Sequence, residues 1–299
     1  MKVAELISPE LRARLRALRL HARFSPFTQG IGQHTSRSRG AGLEFAQYRA
    51  YEPGDEPRHI DWKLYARSDR FFVRDATRDT PLTAWLLVDA TASMAQADAA
   101  RPDYTKLVAA KALAACIAEI ALQQGDSFGL ITVGDGITGL PAASGRRHRD
   151  QLWLALERLH CGAQPSSGMA LRPLLERIAP ASLLVILSDG FDASLVELAE
   201  RLAAARREVL LIQLLSCEER DFPFTGSHVF RDPETGEQRR GDATAMREEF
   251  ITRFAHARAE LARRLAASGI RHVEYVLDAP LDAPLQRLFG SRRQELAGR

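Results

Sequence analysis

From Thr83 onward, short apolar runs alternate with longer helical patterns, and this alternation restricts the fold more than any other feature of the chain. Strand candidates are 83–89, 127–133, 182–188, 208–215 and 271–277; helix candidates are 104–123, 147–159, 169–178, 194–206 and 244–267. Apolar runs bounded by polar residues read as strands buried on both faces, and intervening helices favour parallel pairing. The expected class is α/β, a mostly parallel sheet with helices on both faces. Gly136 to Leu140 suggests a short antiparallel edge strand.

The first 80 residues read differently. A helix starting at Ser8-Pro9 has a capping residue and a first-turn proline, with Leu11, Leu15 and Leu18 on one face and Arg12, Arg16 and Arg19 on another. Such a face predicts docking on the chain's own domain; contact with a membrane surface, peripheral only, is the alternative. Gly30 to Gly42 reads as a turn-rich loop, with strand candidates at 43–51 and 70–74 around the turn Glu52-Pro53-Gly54-Asp55. Two domains are expected: 1–80, a helix and small β-rich module, and 81–290, the α/β domain. A long loop or hairpin at about 218–243, carrying Pro223, Gly226, Pro233 and Gly236, interrupts the second. Insertions of that length are usually functional or pack against another module.

Composition narrows the function classes. The 299 residues carry a formal net charge of only +3, so bulk electrostatics do not point to nucleic acid. Residues 1–80 hold 15 Lys and Arg against 10 Asp and Glu. That excess is almost all Arg, suited to bidentate pairing with carboxylates or phosphates. Cys116, Cys161 and Cys217 have neither disulfide-framework nor zinc spacing. No apolar stretch approaches a membrane span and no signal-peptide core is present, so a soluble, cytoplasmic protein is expected.

The chemistry concentrates where strands end. Leu86-Leu87-Val88 runs into Asp89, with Thr91 and Ser93 two and four residues on. A second run, Leu183 to Leu187, is followed by Ser188-Asp189-Gly190. Ligands of open α/β sheets sit beyond the carboxyl ends of strands, and carboxylates with hydroxyls are hard oxygen donors suited to Mg²⁺.

These residues resemble the metal-ion-dependent adhesion site of von Willebrand factor A-type domains. The wider chain resembles the bacterial von Willebrand A-containing family catalogued as domain of unknown function fifty-eight. That likeness rests on Arg49-x-Tyr51-x-Pro53-Gly54-Asp55, on Arg58-x-Ile60-Asp61-Trp62-Lys63 and on Phe222-Pro223-Phe224. It implies a Rossmann-like sheet bearing Mg²⁺, with Asp89, Thr91 and Ser93 in the first metal loop and Asp189 in the third. The second loop falls in Gln164 to Met169, where the usual glycine-glycine-threonine is absent; Ser167, or its neighbour Ser166, stands in. The resemblance further implies a non-catalytic adaptor with a MoxR-type AAA+ ATPase partner, presenting the ion to an acidic side chain of that ATPase or of a client.

The competing class is a Mg²⁺-dependent, phosphatase-like hydrolase with Asp89 as nucleophile. It expects an acid two residues after Asp89, where this chain has Thr91. No GxxxxGK[ST] loop is present. Asp55, Arg58, His59, Asp61 and Arg67 are read as an ion-pair network, and Ser144 to Arg149 as a solvated helix start.

Overall fold

The computed structural model describes residues 3–22, 44–51, 60–77, 82–162 and 171–290. It divides into two units, Gly30–Pro81 and the combination of Met1–Gln29 with Leu82–Arg299.

In the smaller unit, β1 (Glu44–Ala50) pairs antiparallel with β2 (Phe72–Thr77). Between them Asp61 caps the helix Trp62–Ser68, its carboxylate accepting the amides of Lys63 and Leu64 at 3.0 Å. Tyr65 stacks on Phe71 with ring centroids 4.5 Å apart. Asp55, Arg58 and His59 of the expected ion-pair network lie outside the described residues, as does the 52–55 turn.

The larger unit is a six-stranded sheet built from β3 (Thr83–Asp89), β4 (Ser127–Val133), β5 (Ile137–Ala143), β6 (Leu183–Ser188), β7 (Glu208–Leu215) and, after a separate hairpin of β8 (Ser227–Arg231) with β9 (Gln238–Asp242), β10 (Arg271–Val276). Its order is β10-β7-β6-β3-β4-β5, with only β5 antiparallel. This is the mostly parallel α/β sheet that the alternation predicts, including its antiparallel edge. Side chains of a strand alternate between faces, so Ala84, Leu86 and Val88 enter one apolar core while Trp85 and Leu87 enter the other. The chain runs from β3 outward through β4 and β5, then returns to the opposite side of β3 as β6. The resulting switch point lies at the carboxyl ends of β3 and β6, where such sheets place their ligands.

Two expectations need correction. The helix Lys106–Gln124 is apolar and long enough, by composition, to cross a membrane. It is nevertheless a core element, with 67% of that stretch inside the fold. Thr105 caps its start and Gly125, at φ 76°, ends it; small alanines between them let it lie close on the sheet. The second correction concerns the module expected at 1–80. The N-terminal segment is part of the α/β unit, because Leu11, Leu15, Leu18 and Leu20 are buried in its core. Arg14 grips the buried Asp282 through both carboxylate oxygens, and Leu20 exchanges two hydrogen bonds with Gln124. The Arg146–Arg158 helix does begin in the basic cluster, but His148 there is buried, 2.7 Å from the Phe128 carbonyl.

Candidate functional site

Asp89 ends β3 and is only 1% exposed. Its Oδ1 accepts the Thr91 amide at 3.0 Å and the Thr91 hydroxyl at 2.7 Å, and its Oδ2 accepts Ser188 Oγ at 2.6 Å. Burial pushes the carboxyl up to about 6 against the pull of these bonds, and neighbouring Asp189 adds to the rise. Ser93 Oγ sits 3.2 Å from Thr91 Oγ1. Thr91 has one proton and gives it to Asp89, so Ser93 is the donor in that pair.

Asp189 follows β6 and is equally enclosed. Its Oδ1 accepts the Phe191 amide at 3.2 Å, and its carbonyl accepts Gln213 Nε2 at 2.8 Å. Gly190 turns the chain at φ 81°, where a Cβ would meet Leu261 Cδ2 at 2.8 Å. Two of the expected ligand loops therefore meet at this edge, joined by Ser188. Ser166 and Ser167 lie outside the described residues.

Residues that the motif did not identify complete the surroundings. Lys106, wholly buried, donates to Gln96 Oε1 at 2.7 Å and Glu219 Oε1 at 2.5 Å, and lies 3.6 Å from Asp189 Oδ2. Glu219 also closes a capping box with Ser216 on the helix Cys217–Asp221. Asp192 caps the helix Ala193–Ala204 through Oδ1, leaving Oδ2 buried without a hydrogen-bond partner among the described residues. Glu234, at the tip of the β8–β9 hairpin, accepts the Ser93 amide at 2.9 Å, and its Oε2 is likewise buried and unpartnered among the described residues. A lysine at the first position of an apolar helix was a legible signal for Lys106. For Glu234 the sequence offered only the length of the insertion.

The donors at this edge are oxygens: two carboxylates at strand ends, hydroxyls of Thr91 and Ser93, and two orphaned carboxylate oxygens nearby. Burying such oxygens without a partner is costly. The charge of Asp189 and of Glu234 raises Asp192, after the larger effect of its burial. Lys106 is shared with Glu219, so carboxylates outnumber the buried cation. Among the described residues, no three His, Cys, Asp or Glu side chains are grouped to hold a metal by themselves. A divalent ion would therefore depend on the hydroxyls and on water as well, which this donor set fits.

The family described as protein of unknown function DUF58 matches residues 47–260. The uncharacterised protein Rv1480 of Mycobacterium tuberculosis is 30% identical over 300 residues, spanning 98% of this chain and 94% of that protein; the uncharacterised protein Mb1516 of Mycobacterium bovis matches to the same extent. Among solved structures, the conserved hypothetical protein BatB from Bacteroides thetaiotaomicron is 16% identical, covering 73% of this chain and all of that one, with a TM-score of 0.47. The SpRpn10 VWA domain is 14% identical over 71% of this chain and 98% of its own, with a TM-score of 0.39. The extent of the family match, carried by the α/β unit and part of the smaller one, makes this chain a member of the DUF58 family.

Proposed function

We propose that this chain is a non-catalytic interaction protein that binds an acidic side chain of a client through a divalent cation, Mg²⁺, at the switch point of its sheet. Asp89, Thr91, Ser93 and Asp189 would hold the ion, with Ser167 completing the set. The observation that carries this reading is a sheet edge in which hydroxyls sit beside carboxylates, with two buried carboxylate oxygens unsatisfied among the described residues. Few formal charges would touch the ion directly, so a bound Mg²⁺ would supply an electrophilic position for one more carboxylate.

The protein's own groups orient that position. Ser188 and Thr91 fix both oxygens of Asp89, and Gln213 and the Phe191 amide fix Asp189. A MoxR-type AAA+ ATPase as partner is supported by the family resemblance alone. Calorimetric titration of Mg²⁺ into the native chain and into Asp89→Ala tests the reading. Binding by the native chain and its loss in the variant are expected. Absence of binding in the native chain overturns it. So does aryl-phosphate turnover abolished by Asp89→Asn, which favours the hydrolase.

A further inference from the structure

The hairpin of β8 and β9 delivers one carboxylate to the sheet edge, and its sequence is arranged to do so. In Asp232-Pro233-Glu234-Thr235-Gly236, the Asp232 side chain accepts the amides of Glu234 and Thr235 at 2.9 and 3.3 Å. Gly236, at φ 72°, closes the turn by donating to the Asp232 carbonyl at 2.8 Å. The hairpin is held from behind by aromatic rings: Phe230 stacks on Phe222 at 5.7 Å, and Phe222 packs on Phe250 of the long helix Ala243–Ala267 at 4.5 Å. Glu234 is thus presented by a rigid turn on an anchored hairpin.

Capping the Ser93 amide needs only one oxygen. The other, Oε2, is buried with no hydrogen-bond partner among the described residues, in a neighbourhood already rich in carboxylates. A like charge placed there is unfavourable unless a cation balances it. Ser93 is itself one of the hydroxyl residues of the candidate cation site, so Glu234 is tied directly to that site through the Ser93 amide.

We propose that Glu234 is the chain's own acidic ligand for the divalent cation of this site, so that the β8–β9 hairpin closes the position a client's carboxylate has to take. The inference rests on the reading of the sheet edge as a cation site. It adds that the site is self-engaged, and that client binding exchanges one carboxylate for another.

The test uses Mg²⁺ titrated calorimetrically into the full chain and into Glu234→Gln, Glu234→Asp and Asp89→Ala, with amide hydrogen exchange followed across 227–242. Glutamine keeps an acceptor for the Ser93 amide, and aspartate keeps the charge but shortens the reach. Both Glu234 variants should bind Mg²⁺ at least about tenfold more weakly than the native chain. Mg²⁺ should slow exchange in the hairpin of the native chain but not of Glu234→Gln. If the native chain binds Mg²⁺ and Glu234→Gln binds it equally well or better, Glu234 is only a cap and the inference falls while the cation site stands. Full affinity in Glu234→Asp reduces Glu234 to a remote charge and also overturns it. If the native chain does not bind Mg²⁺, the site reading fails and this inference with it.

Discussion

Ser188 Oγ donates to Asp89 Oδ2 at 2.6 Å and accepts the Gly190 amide at 3.0 Å, so one hydroxyl ties the ends of two adjacent parallel strands and the loop that follows. It also fixes a carboxylate where ionisation is unfavourable.

Asp89 therefore costs stability in the absence of a cation. Its carboxyl is raised from 3.8 to about 6, so the native state holds its proton longer than the unfolded chain. Stability from this group is lost as pH rises between those values and stays lost at pH 7. Asp89→Asn should stabilise the protein in chelator by about 1–3 kcal/mol at neutral pH, since each tenfold change in proton affinity between the two states corresponds to about 1.4 kcal/mol. The same variant should show no added stability with Mg²⁺. Urea denaturation in chelator and in Mg²⁺ measures both effects.

Lys106 should behave in the opposite way. Removing its charge strands Glu219 and Asp189, so Lys106→Met should cost on the order of 3 kcal/mol. Adding Glu219→Gln should recover part of that loss, because the amide needs no counter-charge. Equilibrium unfolding of the single and double variants reads the coupling directly.

His272 gives the fold an acid-side sensitivity. Its Nε2 lies 3.1 Å from Gln213 Oε1, and Gln213 in turn donates to the Asp189 carbonyl. Burial lowers its pKa below the usual 6.5, only partly offset by Glu274. Above 6.5 both states are neutral and the group contributes nothing. Below it, the unfolded chain takes up the proton first, so stability falls with pH until the native imidazole is also protonated. His272→Gln should show a shallower decline in stability from pH 7.5 toward pH 5 than the native chain. Denaturation midpoints across that range provide the comparison.

Phe230→Ala should loosen the hairpin without dissolving the sheet. The lost ring contacts with Phe222 and Phe224 are worth about 1 kcal/mol. Amide exchange should quicken across 227–242 while β3 and β6 remain protected.

The sheet was legible where burial is complete. The strands at 83–89, 127–133 and 208–215 begin and end where the apolar runs do, because a strand covered on both faces tolerates few polar residues. Of the helix expected at 169–178, the described residues show Leu171 and Leu174–Arg177 as helical, with a turn at Arg172 and Pro173 between them. The candidate site was legible in part for a related reason: Asp89, Thr91 and Ser93 are local in sequence, and Asp189 repeats the same strand-end pattern. Lys106, Glu219 and Glu234 come from elements remote in the chain. Glu234 meets Ser93 across 141 residues, a contact set by how the hairpin packs rather than by any local pattern.

Because β3 is hydrogen-bonded on both sides, by β4 and by β6, its end cannot open without dismantling the sheet. Whatever binds beside Asp89 must then report on the melting of the whole unit, with a gain set by its concentration relative to its affinity. The folding equilibrium is thus a ready assay: acidic peptides and candidate clients can be ranked by the melting shifts they produce, before any activity is known.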